Sequence, residues 1–428
     1  MYKYVGAPDW KKISVYDLAV WKNGLAFKDI NFSSGGKPVI KISELKSGIT
    51  SQTKFTRDEY DESVSVKRGD MVFAWSGSPS TSIDVFRWEG PDGWLNQHIY
   101  KITPHKTVDE NFLFFILRWL RPRFVEIARN KQTTGLGHVT MQDFRGMLIG
   151  LPTKSEQRAI ASFITPIQER INLNRRMNDT LEAMIQALFQ DWFIDFGPIR
   201  AKMKNQQPYL NQEIWNIFPS KMDDERKPQG WQMGSLAQIA DSPNRRSVDP
   251  FDVAADTPYI GLKHMPRRSI ALAEWGDARK VKSKQTSFKK SEFLFGKICP
   301  DSHKVGFASL DGICSVDIIV VVPRKTHWSN LVLALLFSDK FVNYTSRFST
   351  GTIMPRTSWK TMGQYSFCIP SDQVAQVFQS LTQPLLDRIE ANIHENRTLS
   401  QIRDLLLPKL MSGEIRLANV KKRVEDCT

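Results

Sequence analysis

Residues 160–192 have the sequence IASFITPIQERINLNRRMNDTLEAMIQALFQDW, and this stretch decides the fold class. Apolar side chains recur there at alternating steps of four and three residues, which is the a/d pattern of a coiled-coil helix. The positions on this seam are Ile160, Ile164, Ile167, Ile171, Asn174, Asn178, Leu181, Ile185, Leu188 and Trp192. A second seam lies 218 residues further on and comprises Phe378, Leu385, Ile389, Asn392, Asn396, Leu399, Leu406 and Leu410, with Thr382 and Arg403 as imperfect members. The pattern predicts two long helices of the same kind.

Two asparagines interrupt each seam at its centre, and we expect them to set the helix register. A buried asparagine destabilises a coiled coil unless its amide is paired, but it selects one alignment of the helices. In an antiparallel pair the four side chains would meet, and they are Asn174, Asn178, Asn392 and Asn396. The alternative is an ordinary amphipathic helix packed on its own domain, with the asparagines at its solvent edge. Pro166 and Pro384 are tolerated in a first turn, so the helices are predicted to begin near them.

The duplication extends over the whole chain. Trp10 returns as Trp231 and Pro152 as Pro370, at offsets between 218 and 221 residues. In each half, short β-like runs precede a helix, which is predicted at residues 110–128 and again at residues 329–344. The predicted fold class is α+β: two mixed α/β domains separated by two long helices that form an antiparallel coiled coil, with an internal pseudo-two-fold repeat.

The repeat also predicts where the segments begin and end. The connector between the halves is polar and dotted with prolines, so we expect local order there at best. The predicted segments are a first mixed domain at 1–150, a helical region at 151–196, the connector at 197–230, a second mixed domain at 231–368, a helical region at 369–416 and a tail at 417–428.

Composition favours a polyanionic partner. The formal net charge is +14, and counterion release makes nucleic acid the first candidate for so basic a protein. A generally basic surface without such a partner is the alternative. The four cysteines are scattered without a C-x-x-C pair, which argues against zinc and disulfides and fits a reducing cytoplasm. No apolar run is long enough for a membrane span, and the amino terminus does not resemble a secretion signal.

The motifs of common enzyme chemistries are absent from the sequence. It contains no G-x-x-x-x-G-K-[ST], no G-x-S-x-G and no H-E-x-x-H, and its seven histidines are isolated. We therefore predict no catalytic residue and no metal site. An autonomous DNA methyltransferase or nuclease with an unrecognised site remains the alternative, and an RNA-binding or regulatory protein is a third possibility with weaker support.

Several motifs resemble the specificity subunits of type I restriction–modification systems. Residues 151–161 (LPTKSEQRAIA), 171–182 (INLNRRMNDTLE) and 191–196 (DWFIDF) resemble the central conserved region of that family. Residues 405–416 (LLLPKLMSGEIR) are similar to its distal conserved region. The loops at Thr133-Thr134-Gly135 and at 349–356 (STGTIMPR) are similar to those that close its target-recognition domains.

The resemblance implies a DNA-binding subunit without catalysis of its own. The two mixed domains would be target-recognition domains that recognise the unlike halves of a bipartite, asymmetric DNA site, and the helices would set the gap. Its partners would be double-stranded DNA, two methyltransferase subunits and, through the complex, restriction subunits. S-adenosylmethionine, ATP and Mg²⁺ are expected on those partners and no cofactor on this subunit. The methyltransferase is expected to dock at Glu156, Gln157 and Arg158.

Loops with basic, amide and hydroxyl side chains are the expected sites of base recognition, because those groups match the edges of the grooves. Each such residue has phosphate contact or a plain surface position as its alternative. The candidates are Ser76, Ser78, Ser80, Lys131, Gln132, Thr133, Thr134 and His138 in the first domain, and Arg267, Arg268, Ser302, His303, Lys304, Arg347, Ser349, Thr350 and Arg356 in the second.

Overall fold

The chain folds into two compact units. The computed structural model describes residues 6–132, 135–245 and 247–416. One unit contains residues 1–169 with 400–428, and the other contains residues 170–399. The tail predicted at 417–428 lies outside the described residues. Within the described ranges, no helix combines the length and the apolar character needed to cross a bilayer.

The first unit contains a mixed domain whose main antiparallel sheet has the strand order β2-β10-β6-β8, and a second sheet has the order β4-β3-β9-β5. In the second sheet β3 and β9 run parallel. The strands described in this unit are β1 (Lys11–Ser14), β2 (Ala19–Asn23), β3 (Lys37–Ile40), β4 (Phe55–Thr56), β5 (Ser65–Val66), β6 (Met71–Ala74), β7 (Ser76–Gly77), β8 (Asp84–Arg87), β9 (Gly93–Leu95), β10 (Ile99–Pro104), β11 (Gly137–His138) and β12 (Leu148–Leu151).

One long helix covers the main sheet of this unit, as predicted. Its start is capped by Asp109, whose carboxylate accepts a hydrogen bond from the backbone N–H of Phe112. Its apolar face packs on the sheet, with the rings of Phe73 and Phe124 at 5.1 Å. The helices are α1 (Ile42–Ser47), α2 (Pro79–Ser82), this helix α3 (Glu110–Asn130), α4 (Met141–Gly146) and the first part of α5 (Lys154–Phe189).

The second unit repeats this arrangement. Its main antiparallel sheet has the order β14-β22-β19-β20, and β16 and β21 form the parallel pair of the other sheet, β15-β18-β21-β16-β17. The strands described here are β13 (Gln232–Ser235), β14 (Ala240–Asp241), β15 (Ser247–Val248), β16 (Pro258–Ile260), β17 (Gly276–Asp277), β18 (Gln285–Phe288), β19 (Phe293–Gly296), β20 (Val305–Phe307), β21 (Gly312–Cys314), β22 (Ile318–Pro323) and β23 (Ser366–Ile369). The duplication is therefore present in the strand order of each unit.

The helix predicted at residues 329–344 is two helices in the structure. Ser338 adopts an extended conformation, and its hydroxyl accepts a hydrogen bond from the backbone N–H of Phe341 at 3.3 Å. It therefore caps a new helix. The helices of this unit are α6 (Gly197–Met203), α7 (Gln212–Asn216), α8 (Leu236–Ile239), α9 (Ser329–Phe337), α10 (Asp339–Arg347), α11 (Trp359–Gly363) and part of α12 (Asp372–Ser412).

The segment predicted as a loosely ordered connector is packed. It contains α6 and α7, and the side chains of Ile199 and Phe218 are buried in the core of the second unit. The ring of Phe218 lies 4.9 Å from that of Trp192, edge to face. The sequence predicted a linker because this segment is mostly polar and has no periodic apolar stripe. A few large apolar side chains are enough to anchor it in the core.

Both long helices begin well before their prolines, so the prediction of where they start is wrong. α5 begins at Lys154 and α12 at Asp372, about three turns before Pro166 and Pro384. A proline inside a helix removes one hydrogen bond. The turns before Pro166 bury Ile160 and Ile164 in the first unit, and this apolar burial offsets the loss. The turns before Pro384 are held in the same way in the second unit.

In the second unit, α5 and α12 lie side by side in antiparallel directions and their central asparagines pair. Asn174 Nδ2 donates to Asn396 Oδ1 at 3.0 Å, and Asn392 Nδ2 donates to Asn178 Oδ1 at 2.8 Å. These two hydrogen bonds are equivalent under the 218-residue repeat. All four side chains are buried, and one hydrogen bond in each pair replaces water, whereas the Oδ1 atoms of Asn174 and Asn392 accept no hydrogen bond from the described residues.

The asparagine pairs predict opposite outcomes for single and double substitutions. Asn178→Leu alone should lower the free energy of unfolding by about 1–3 kcal/mol, because the buried Asn392 amide loses its acceptor. The double variant Asn178→Leu with Asn392→Leu should recover most of that loss, since no amide is then left unpaired. Urea unfolding monitored by circular dichroism measures both, with the exposed Thr180→Leu as control. A double variant as unstable as the two single losses combined would contradict the pairing.

Candidate nucleic-acid interface

The two predicted loops of the first domain meet in a short ribbon. β7 pairs with β11, so that Ser76 lies opposite His138 and Gly77 opposite Gly137. A Cβ on Gly137 would stand 2.1 Å from the Ala128 carbonyl oxygen, which explains the glycine at that position. Ser76, Ser78 and His138 are half-buried, and Ser80 is exposed beside the ribbon. The structure thus brings together four of the predicted residues.

The remaining candidates of the first domain differ in how accessible their side chains are. Lys131 Nζ binds both carboxylate oxygens of the buried Asp143 at 2.7 Å, so its charge is used within the domain. The same carboxylate caps α4, and these contacts hold the pKa of Asp143 below its usual value despite its burial. Gln132 is exposed. Thr133 and Thr134 lie outside the described residues.

The second domain carries an equivalent ribbon with different side chains. Ile298 pairs with Arg356 in an antiparallel bridge, at the positions that Ser76 and His138 occupy in the first half. Thr350 also bridges to Arg356, and the exposed side chains of Arg347, Thr350 and Arg356 surround this loop. Ser349 is tied locally, because its hydroxyl donates to the Thr345 carbonyl at 2.7 Å.

The Arg267–Arg268 loop projects from a buried anchor on α5. Both arginine side chains are exposed, and Arg268 forms an ion pair with Asp339 at 3.1 Å. The next residue, Ser269, donates from its hydroxyl to Glu182 Oε1 at 2.8 Å. Glu182 is buried, and this burial raises the pKa of its carboxyl to about 7 although hydrogen bonds from the loop lower it. The long helix therefore holds this loop in position.

His303 and Lys304 do not offer free side chains to DNA, contrary to the prediction. His303 is 3% exposed, its Nε2 donates to the Phe337 carbonyl at 2.8 Å, and burial lowers the pKa of its imidazole. Lys304 Nζ donates to the Leu262 carbonyl, and burial likewise lowers its pKa. Ser302 ends the 3₁₀ turn Pro300–Ser302 and is half-buried. This loop is held by internal contacts.

The predicted docking residues also have internal partners. Gln157 is 1% exposed; its Nε2 donates to the carbonyls of Pro152 and Thr107, and its Oε1 accepts from the N–H of Asp109, the cap of α3. Glu156 Oε1 accepts from Arg416 at 2.7 Å. Only Arg158 of the three is fully exposed. A docking partner would not reach the Gln157 side chain, whose contacts instead join α5 to α3.

A different residue performs the same task in the second unit. The position equivalent to Gln157 is the buried Ala375, but Gln379 lies one turn further along α12. Its Oε1 accepts from the N–H of Asn330 at the start of α9, at 2.9 Å. The Glu-Gln-Arg motif is therefore missing from the second half while the glutamine contact that it supplies is retained.

Sequence reasoning based on polar residue types missed two features of these domains. The first is exposed apolar side chains at the loop tips, Leu136 in one domain and Ile353 in the other. The second is a difference in charge before the equivalent strands β5 and β18. The exposed acids Asp58, Glu59, Asp61 and Glu62 in the first domain contrast with the exposed bases Arg279, Lys280, Lys282 and Lys284 in the second. Aligning the two halves of the sequence would have revealed this contrast.

Comparisons with known proteins agree with this arrangement. A family model described as the type I restriction modification DNA specificity domain matches residues 8–183. The HindI specificity subunit of Haemophilus influenzae is 23% identical over 369 residues, which cover 71% of this chain and 76% of that protein. The MjaIX specificity subunit of Methanocaldococcus jannaschii is 24% identical over 423 residues, covering 91% and 92%. A crystal structure of a type I restriction–modification S subunit from M. genitalium shares the fold, with a TM-score of 0.53, 14% identity and coverage of 94% and 96%.

The chain is similar to type I restriction–modification specificity subunits, and the family model matches the part of it from residue 8 to residue 183. Across the described part of the chain, no group of three or more histidine, cysteine or acidic side chains is arranged to hold a metal ion.

The raised pKa of Glu182 predicts a pH-dependent stability. The folded state favours the protonated carboxyl, so the wild-type chain should lose stability as pH rises from about 4.5 to about 7. Glu182→Gln should remove this loss and be more stable than wild type at pH 8 by up to about 3 kcal/mol, with no difference near pH 4.5. Urea unfolding of both proteins at the two pH values measures it. An equal difference at both values would contradict the assignment.

Proposed function

We propose that the chain recognises a bipartite, asymmetric DNA site and holds methyltransferase subunits on it, and through them restriction subunits. The observation that carries the proposal is the repeated recognition fold whose ribbons differ in side chains. One ribbon places Ser76 opposite His138, and the other places Ile298 opposite Arg356. Two domains with the same backbone fold but different contact side chains are suited to the recognition of two different half-sites.

The surrounding charge supports the same asymmetry. The bases at 279–284 favour phosphate contact in the second domain, while the acids at 58–62 disfavour it at the equivalent place in the first. The two half-sites would then contribute unequally to the salt dependence of binding. The candidate groups with exposed side chains are Ser80, Gln132, Arg267, Arg268, Arg347, Thr350 and Arg356.

The long helices are proposed to set the gap between the half-sites. α5 follows directly on β12 and α12 directly on β23, so each long helix is a continuation of a recognition domain. At about 1.5 Å per residue, their 36 and 41 residues correspond to roughly 54 and 62 Å of helix. The paired asparagines favour one alignment of the two helices, and one alignment implies one gap.

Methyltransferase docking is proposed at exposed apolar positions that recur on the two helices. Phe163 on α5 corresponds to Leu381 on α12, and Met184 corresponds to Ile402, each pair at an offset of 218 residues. All four are exposed, and within each helix the two positions are three heptads apart, on one side of the seam. Duplicated apolar positions fit two copies of one partner. S-adenosylmethionine, ATP and Mg²⁺ are proposed to bind to the partner subunits.

Co-expression with its methyltransferase partner tests the proposal directly. Sequencing the modified genome should reveal one methylated motif made of two unlike half-sites and a fixed gap. The chain alone should bind a duplex with this motif and transfer no methyl group from S-adenosylmethionine. Methyl transfer or DNA cleavage by the purified chain alone would favour an enzyme, and a palindromic or undivided motif would contradict the two-domain division.

Lengthening both helices should change the gap alone. Inserting seven residues into α5 after Asn178 and seven into α12 before Asn392 keeps both seams in phase. The insertion adds about 10 Å, so the gap should grow by roughly three base pairs with both half-sites unchanged. Methylation sequencing measures the new motif. The control is a seven-residue insertion in the exposed loop at residues 252–256, which should leave the gap unchanged. Altered half-sites would contradict the spacer role.

Introducing a charged side chain at the docking positions should reduce the number of bound methyltransferase subunits one at a time. Phe163→Asp and Leu381→Asp should each reduce the complex from two methyltransferase subunits to one, and the double variant should bind none, because a buried unpaired carboxylate opposes docking. Native mass spectrometry measures the stoichiometry. Leu173→Asp is the matched control, since this exposed leucine corresponds to Ala391 and has no large apolar equivalent. Full complexes with both variants would place the partner elsewhere.

A further inference from the structure

The loop that closes the second recognition domain carries apolar side chains at its tip. Ile353 is 93% exposed and Met354 is 53% exposed, and Phe348 at the base of the loop is also exposed. Single exposed apolar residues are ordinary on protein surfaces. Three within seven residues, on a loop that also carries arginines, are not scattered in that way.

The backbone holds this tip away from the core. Thr350 and Arg356 exchange hydrogen bonds, with Thr350 N donating to Arg356 O at 3.0 Å and Arg356 N donating to Thr350 O at 2.8 Å. On the other side of the loop, Cys299 N donates to Pro355 O at 2.8 Å and Thr357 N donates to Lys297 O at 3.0 Å. Gly351 has a φ of +96°, which makes the turn. The intervening side chains therefore stand on a braced hairpin.

The first recognition domain contains the same structural arrangement. Gly135 has a φ of +86°, and the following residue, Leu136, is 58% exposed. The next two residues form β11, which pairs with β7 as Arg356 pairs with Ile298. A glycine turn, an exposed aliphatic side chain and a ribbon thus occur in the same order in both domains. Such recurrence argues for a shared task, because the polar side chains of the two ribbons differ.

The residues around the tip indicate what kind of surface it contacts. Arg347 and Arg356 are exposed at the base of the second hairpin, and the Arg347 guanidinium lies 5.7 Å from the centre of the Phe348 ring. An apolar tip surrounded by arginines is complementary to a partner that has negative charges on its outside and stacked apolar faces in its interior. Duplex DNA has this arrangement, and proteins that deform it insert Ile, Leu, Met or Phe between base pairs while arginines bind the flanking phosphates.

We propose that Ile353 with Met354, and Leu136 at the equivalent place, are wedges that insert between base pairs of the two half-sites. This inference rests on the proposed recognition of DNA by both domains. Insertion separates one base step in each half-site and makes binding depend on how easily that step unstacks. Pyrimidine–purine steps deform most readily, so each half-site should contain such a step under its tip. Part of the sequence preference then arises without a hydrogen bond to a base.

The test uses the full chain in complex with its methyltransferase partner. The probe is a duplex with the motif found by methylation sequencing, with 2-aminopurine placed in turn at each position of the second half-site except the methylated base and its neighbours, because a methyltransferase flips its target base out of the stack by itself. Wild type should raise the fluorescence at one step several-fold, because unstacking relieves quenching. The variant Ile353→Ser with Met354→Ser should abolish that rise and weaken binding about tenfold or more. Leu136→Ser should do the same in the first half-site.

Val316→Ser is the matched control, since Val316 is an exposed aliphatic residue of the same unit that lies outside the ribbon. It should behave as wild type in fluorescence and affinity. A second arm replaces thymine by uracil at each step. If uracil weakens binding while 2-aminopurine stays quenched, the tip contacts a thymine methyl in a groove, and the wedge is overturned.

Other outcomes separate this inference from the function on which it rests. If the wild-type complex prefers the motif to a scrambled duplex but the double serine variant keeps the fluorescence rise, the wedge is wrong and recognition stands. If the variant loses a methyltransferase subunit and keeps its DNA affinity, the tip contacts the partner and the wedge is again wrong. If wild type shows no preference for the motif, both proposals fail.

Discussion

The pairing of four buried asparagines is the constraint on which the rest of this protein depends. Apolar seams tolerate slippage, because a shift by one heptad exchanges one aliphatic contact for another. Amides do not tolerate it: each would lose its partner in a dry environment, at about 1–3 kcal/mol per group. The repeat has kept both hydrogen bonds, Asn174 to Asn396 and Asn392 to Asn178. The neighbouring contact has drifted, since Arg170 binds Glu395 while its equivalent Arg388 meets the sulfur of Met177.

Duplication within one chain frees the recognition surfaces from each other while this register is kept. In a homodimer every contact residue appears twice, so the two ribbons and the two charge patterns would have to match. Here the main sheet has the same strand order in both units, yet Ser76 corresponds to Ile298 and His138 to Arg356. The backbone frame is set by buried apolar positions, and the contact residues stand outside that frame. They can therefore change without loss of stability.

Periodicity predicted the parts of the fold that repeat locally, and it could not predict contacts between distant residues. The seams, their asparagines and α3 follow from spacing in the sequence. Pro166 gave a wrong start for α5, because tertiary burial of Ile160 and Ile164 outweighs a local helix signal. The residue type of His303 predicts base recognition, but its ring is buried and donates to the carbonyl of Phe337.

The same limit applied to the candidate site, where residue type was used as a guide to exposure. The charge of Lys131 predicts a contact with DNA, but Asp143 neutralises that charge within the domain. Ile353 lies in the loop at residues 349–356, and its aliphatic side chain predicts burial, whereas the structure exposes it more than its polar neighbours predict. Exposure is a property of the packed chain, and a loop's backbone hydrogen bonds determine it as much as its composition does.

The proposed spacer role requires that each long helix be firmly attached to the recognition domain that precedes it, and within each unit a buried polar contact supplies that attachment. In the first unit Gln157 joins α5 to the cap of α3; in the second, Gln379 joins α12 to the start of α9. Both use a side-chain carbonyl to accept from a backbone N–H that a helix start leaves unpaired. Apolar packing alone would permit small rotations at little cost, whereas a buried hydrogen bond is directional. The two units therefore contain the same kind of attachment, although the glutamine that makes it lies one turn further along α12 than along α5.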